Sequence, residues 1–263
     1  MTELLAPAKL NLALVVGPTR ADGRHEVATV LQRISLADRI RLEPADSLRV
    51  EGFAEDTLVR RALEALAAAA AVGPAWSVEI DKQIPEAAGL GGGSSDAAAA
   101  LLLANDTLPQ PLPAEALQEL GAGIGADVPF FLAAGPQLGE GDGTELQPLT
   151  LPQEYWILLL LPHDQHKAST AAVYDAFTGE EGFEERRAAL LRAAALGDLA
   201  AFPPNDLASS PLADELRHAG AFRADVTGAG PTVYGLFDEQ TDAITAHAVL
   251  GERGRAWIAT PAW

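Results

Sequence analysis

The sequence predicts an α+β fold of two lobes, with helices packed on mostly antiparallel sheet. Three observations carry that prediction. Near the N-terminus Leu10, Leu12, Leu14 and Val16 fall on one face of a strand and Lys9 and Asn11 on the other. Residues 57–72 are Ala-rich at helical spacing, with Asp56 placed as N-cap. After Leu149 a proline-marked break precedes the apolar run Trp156–Pro162, and strand and helix patterns then alternate to the end. The chain is therefore divided at 1–150 and 151–263.

Between those landmarks, strands are expected at 27–35, 39–43, 48–51 and Trp76–Asp81. The last runs through Ile84 and Pro85 into GLGGGSSDAAAALLLAN, whose second half reads as a helix, and another helix at 114–122 precedes GADVPFFLAAG. In the second lobe helices fit 170–177, Phe183–Leu196, 212–219 and 239–250. Strands fit 224–227, Val233–Phe237 and 255–259, and FPPND reads as a loop.

The 263 residues include 18 Lys and Arg against 37 Asp and Glu, a net charge of −19. That argues against a nucleic-acid surface, which needs clustered cations, but not against a small anionic ligand held by backbone N–H groups and one or two positive charges. With no cysteine there is no disulfide, thiolate metal site or thiol nucleophile. The N-terminal residues lack the pattern of a signal peptide, and the longest apolar runs, 65–72 and 156–162, fall far short of the roughly 18 residues that span a bilayer. A soluble, cytoplasmic monomer or homodimer without membrane partners is the expectation.

The most informative segment runs from Pro85 through Gly89, Leu90, Gly91, Gly92, Gly93, Ser94 and Ser95. Glycine lets backbone approach a ligand closely, and the helix behind it presents unpaired N–H groups and a positive dipole end. It is a phosphate cradle without the Gly-Lys-Ser/Thr of a Walker loop or the register of a dinucleotide fold. The plainer alternative is a flexible turn with Ser94 capping the helix. Lys9 is one of three lysines in the chain, with Lys82 and Lys167, and shares a strand face with Asn11; an exposed strand lysine is the plain alternative. Asp127, between small and large apolar residues, is either a partnered or working carboxylate or a helix cap. Gly228 and Gly230 precede a strand as a tight turn, and His25 opens one after the turn-like Ala-Asp-Gly-Arg.

Taken in order, these segments resemble the GHMP kinase superfamily, named for galactokinase, homoserine kinase, mevalonate kinase and phosphomevalonate kinase. Its PAK-x-N-L-x-L motif is matched from Pro7 to Leu14, its P-x-x-x-G-L-G loop from Pro85, and its late G-x-G at Gly228 and Gly230. RADG-x-H, GLGGGSSDAA and GADVPFF add similarity to the branch acting on a cytidine-diphosphate methylerythritol in isoprenoid precursor synthesis. The resemblance implies a ribosomal-S5-domain-2-like N-terminal lobe and a ferredoxin-like C-terminal α/β sandwich. It implies phosphoryl transfer from ATP, with Mg²⁺, to a hydroxyl of a small cytidine diphosphate substrate. Residues Pro85 and Gly89 to Ser95 would bind ATP, Asp127 would be the catalytic base and Lys9 its cationic partner. Asn11, His25, Tyr174, Gly228 and Gly230, with Asp127, would meet the substrate, Tyr174 by stacking on the base. Two departures stand out: Arg24 replaces the usual tyrosine before His25, and Asp96 replaces a common asparagine. The other readings are a homoserine- or mevalonate-type kinase and a GHMP-fold metabolite-binding protein without transfer activity.

Overall fold

The computed structural model describes residues 1–53, 58–163, 170–179 and 181–262. Contacts divide the chain into two compact units, each discontinuous in sequence. The first comprises Met1–Ala8, Leu36–Glu86 and Gly91–Ala134; the second comprises Lys9–Ser35, Ala87–Leu90 and Gly135–Trp263. The units interleave in sequence because the two longest strands, β1 (Thr2–Thr19) and β2 (His25–Pro44), contribute residues to both.

In the first unit β2 pairs antiparallel with β4 (Trp76–Asp81), and β3 (Arg49–Glu51) lies parallel to β4. Among the described residues four helices complete it: α1 (Leu58–Ala69), α2 (Gly92–Asn105), α3 (Ala114–Ile124) and α4 (Val128–Leu132). Helix α1 buries Val59, Ala62, Leu63, Leu66 and Ala67, the i, i+3, i+4, i+7, i+8 stripe of an amphipathic helix, and packs on α2 and α3. Its expected first residues, Asp56 and Thr57, lie outside the described residues. Helix α2 is buried along most of its length, as its uninterrupted Ala and Leu run requires. α4 was not expected from the sequence, and it is only five residues long with Pro129 in its first turn.

In the second unit β2 pairs with β5 (Gln137–Gly141), which pairs with β6 (Glu145–Pro148); β7 (Trp156–Pro162) opens a separate four-stranded sheet. The chain then forms α5 (Thr170–Asp175), α6 (Phe183–Leu196), α7 (Pro211–His218), β8 (Arg223–Val226), β9 (Val233–Phe237), α8 (Gln240–Leu250), β10 (Gly254–Ala259) and the short β11 (Pro261–Ala262), which pairs with β2. The four-stranded sheet has the order β10-β7-β9-β8, all antiparallel. Strand, helices, two strands, helix, strand in that order is the ferredoxin-like arrangement. Leu158 and Leu160 of β7, with Val233 and Phe237 of β9, bury one sheet face against Leu216 of α7 and Ala243, Ala246 and Leu250 of α8. No helix among the described residues is long and apolar enough to cross a membrane.

Candidate active site

Strand β1 is buried on both faces from Ala8 to Val16: the even positions are apolar, and the odd face carries Lys9, 4% exposed, and Asn11, 7% exposed. A buried ammonium and amide on one face are costly unless engaged. Lys9 Nζ donates to Asn11 Oδ1, Asn11 Nδ2 donates to Thr29 Oγ1 at 2.8 Å, and the Asn11 backbone N–H donates to Thr227 Oγ1 at 2.9 Å. Thr227 opens the turn that carries Gly228 and Gly230, whose φ values of +57° and +74° suit glycine. A Cβ on Gly228 would lie 3.1 Å from Asn11 Oδ1 and 3.3 Å from Lys9 Nζ, so the turn's backbone rests directly on the Lys9–Asn11 pair.

The same turn receives part of the glycine-rich segment. Lys9 N–H donates to Leu90 O at 2.9 Å, and Thr232 N–H donates to Ala88 O at 3.3 Å. At Gly89, φ +82°, a Cβ would fall 2.6 Å from Thr227 O and 2.8 Å from Gly230 O. Lys9, Asn11, Gly89, Leu90, Gly228 and Gly230 thus meet in the second unit.

Pro85 and the residues from Gly91 to Ser95 belong to the first unit. Gly91 takes the left-handed conformation, φ 71°, before the first residue of α2, and no side chain caps that helix; the plainer alternative of a Ser94 cap does not hold, because Ser94 lies inside the first turn. The N–H groups there remain directed outward from the helix start. Ser95 Oγ is buried with no hydrogen-bond partner. Asp127 stands at the N-cap position of α4 without a side-chain capping bond, and it is half-buried.

Next to the α2 first turn lies a cluster that sequence reasoning missed. Lys82 Nζ bridges Asp38 Oδ2 at 2.5 Å and Asp96 Oδ2 at 2.7 Å, and both carboxylates are fully buried. Asp38 Oδ1 also accepts the N–H groups of Gln83 and Ile84, anchoring the chain as it leaves β4 for the glycine segment. One ammonium serves two buried carboxylates, so burial first, and then the neighbouring Asp38, push Asp96 up to about 7 against the pull of Lys82.

In the second unit His25 Nδ1 lies 2.8 Å from Gly17 O. Its ring is 6.0 Å from that of Tyr174, tilted, and 5.8 Å from that of Phe177, edge-on. Tyr174 and Phe177 pack on Leu14, Val16 and Val27. The expected neighbour Tyr174 is thus joined by Phe177, which the sequence reading did not single out although it stands three residues on. Arg24 does not stack there: its guanidinium pairs with Asp142, whose Oδ1 accepts from Thr144. Among the described residues no group of three or more His, Cys, Asp or Glu side chains could hold a metal ion.

Residues 57–135 match the model of the GHMP kinases N terminal domain, and residues 181–256 match that of the GHMP kinases C terminal. The chain is 38% identical to the 4-diphosphocytidyl-2-C-methyl-D-erythritol kinase of Geobacter sulfurreducens, covering 97% of this chain and 96% of that one. It is 35% identical to the enzyme of the same name from Syntrophus aciditrophicus, with the same coverage. A crystal structure of 4-(cytidine 5'-diphospho)-2C-methyl-D-erythritol kinase superposes over all of both chains with a TM-score of 0.84 at 33% identity. Methanococcus jannaschii mevalonate kinase shares the fold, with a TM-score of 0.76 over 100% of this chain and 98% of that one, at 14% identity. With both domain models matched in order and relatives of this identity along nearly its whole length, the chain belongs to the GHMP kinases and, among them, to the 4-diphosphocytidyl-2-C-methyl-D-erythritol kinase family.

Proposed function

We propose that the protein transfers the γ-phosphoryl group of ATP to the 2-hydroxyl of 4-diphosphocytidyl-2-C-methyl-D-erythritol, a step of non-mevalonate isoprenoid precursor synthesis. Full-length identity to kinases of that name supports the substrate. The observation that carries the chemistry is the buried Lys9–Asn11 pair beneath the Gly228 turn, a fixed positive charge in a chain of net charge −19. Phosphoryl transfer needs positioning and neutralisation of developing charge more than covalent chemistry.

In this reading Asp127 accepts the substrate hydroxyl proton as its oxygen bonds to the γ-phosphorus, and the bond from that phosphorus to the bridging oxygen breaks to release ADP. Lys9 offsets charge on the reacting oxygens. Gly89 to Ser95, with Pro85 fixing the approach to the loop, hold the nucleotide phosphates through backbone N–H groups and the start of α2. His25 bonds the cytosine and Tyr174 stacks on it, while Asn11, Gly228 and Gly230 line the substrate side. Among the described residues no carboxylate cluster would hold Mg²⁺ by itself, so an Mg²⁺ entering with the nucleotide would take most of its ligands from the phosphates and water. When bound, it neutralises phosphate charge. The nucleotide loop belongs to the division 1–150, a partition supported by domain models that end at 135 and begin again at 181. A cytoplasmic location, where ATP is supplied, completes the reading.

The test is ADP formation by the full chain with Mg²⁺, ATP and the cytidine substrate, beside homoserine and mevalonate. Turnover of the cytidine compound alone is expected. Asp127→Asn should lower kcat by about 10²–10⁴-fold with nucleotide affinity kept, the range for losing a general base. A kcat unchanged in that variant removes Asp127 from the role.

A further inference from the structure

Within the second unit, Asn205 follows Pro203 and Pro204 and is 9% exposed. Its Nδ2 donates to Val226 O at 2.9 Å and to Gly228 O at 2.7 Å, while its Oδ1 accepts Leu207 N–H at 2.8 Å. Two carbonyls on one end and an N–H on the other allow the amide only this orientation. Asn205 is itself held: its backbone N–H donates to Asp225 Oδ2 at 2.9 Å, and Asp225 Oδ1 accepts Val226 N–H. Arg223, also buried, donates to Phe202 O at 2.6 Å and Pro203 O at 3.0 Å and reaches Asp225 Oδ2 at 3.5 Å. Its Nε donates to Tyr234 OH, which donates in turn to Leu12 O on β1. The side chain of Asn205 is therefore a fixed point, tied through buried polar groups to the strand that bears Lys9 and Asn11.

We propose that Asn205 is a positioning residue for phosphoryl transfer: by holding Gly228 O it sets the height of the Thr227–Gly230 turn over Lys9 and Asn11, and so the direction of the Lys9 ammonium. The inference rests on the kinase reading above. Gly228 connects the two ends, because its carbonyl is bound by Asn205 while a Cβ built on it would fall 3.1 Å from Asn11 Oδ1 and 3.3 Å from Lys9 Nζ. Thr227 closes the loop on the other side through Asn11 N–H. Asn205 acts through the turn and makes no contact assigned to substrate, so its loss should appear in the rate of transfer rather than in binding.

Asn205→Asp keeps size and the Leu207 bond but sets a carboxylate against two carbonyl oxygens. Asn205→Ser is the uncharged companion should the first variant fail to fold. The control is Asp198→Ala, which removes the bond from Ala201 N–H to Asp198 Oδ1 and loosens the preceding segment without touching the turn. Expected are a kcat about 30-fold lower in Asn205→Asp and about 10-fold lower in Asn205→Ser, the scale of a sub-ångström to ångström misplacement, with both KM values within about threefold. Asp198→Ala should match the unsubstituted kcat at a comparable loss of thermal midpoint. Asn205→Ser with kcat within about twofold overturns the proposal, as does a loss confined to KM, or an equal kcat loss in Asp198→Ala. No ADP formation by the unsubstituted chain overturns the kinase reading and this inference with it.

Discussion

His25 is positioned by its bond at Gly17 O and flanked by two aromatic rings, but the residue before it has another occupation. Despite partial burial, hydrogen bonds from Thr144 and the Arg24 guanidinium hold Asp142 below the usual carboxylate range, so this pair stays charged through neutral pH. Arg24, whose side chain is 61% exposed, is thus drawn to a surface partner instead of lying on a base. The motif made the substitution visible, but its outcome depends on Asp142, 118 residues away in sequence. Phe177 is the opposite case, present at helical spacing from Tyr174 yet bearing no motif of its own. It follows that Phe177→Ala should raise KM for the cytidine substrate about tenfold with kcat little changed, in line with base–aromatic stacking of about 1–3 kcal/mol. Arg24→Ala should change the same KM by less than about threefold. Steady-state kinetics on the two variants checks both, and a larger effect at Arg24 would reverse the assignment.

Helix α2 shows at the scale of an element which parts of the fold are legible. Its Ala and Leu run, its glycine start and the strand before it follow from periodicity and turn chemistry, and β4, β7, α6 and β9 do so equally. Strand β2 does not, because Leu36, Ala37 and Asp38 read as a break between two strands, whereas the chain continues through them from His25 to Pro44. Asp38 is tolerated inside because Lys82 and two backbone N–H groups satisfy it, a set of partners separated from it by more than forty residues. Strands β5 and β6 are rich in Gly, Glu and Gln and owe their form to pairing rather than propensity. The same cluster gives α2 a pH response. Asp96 titrates near 7 in the folded chain against about 4 when unfolded, so the folded state binds the proton more tightly. Its contribution is present in full below about pH 4 and is lost as pH rises through 7. Asp96→Asn carries no such titration. Its unfolding free energy relative to the unsubstituted chain should therefore rise by on the order of 1–3 kcal/mol between pH 5 and pH 8, measured by denaturant titration at each pH. A constant difference across that range would show that Asp96 ionises normally.

At the scale of the whole molecule the net charge of −19 acts on two anionic ligands at once. In the proposed reading the attraction comes from Lys9 and from backbone N–H groups of the glycine segment, contacts of a few ångströms that salt screens little. The 37 carboxylate residues act over longer distances, and most of the charged side chains are at the surface, where the field extends into solvent. These contributions separate by range, and salt distinguishes them. The Debye length falls from about 30 Å at 0.01 M to about 8 Å at 0.15 M, which removes most of the long-range repulsion and leaves the short contacts nearly intact. Raising ionic strength over that interval at fixed free Mg²⁺ should therefore increase kcat/KM for the cytidine substrate, by about two- to threefold, with kcat itself unchanged. A protein that gathers anions through a broad basic surface gives the opposite slope. A fall in kcat/KM with salt would mean that the local cations dominate the field well beyond the site, and that the acidic exterior has no influence on substrate capture.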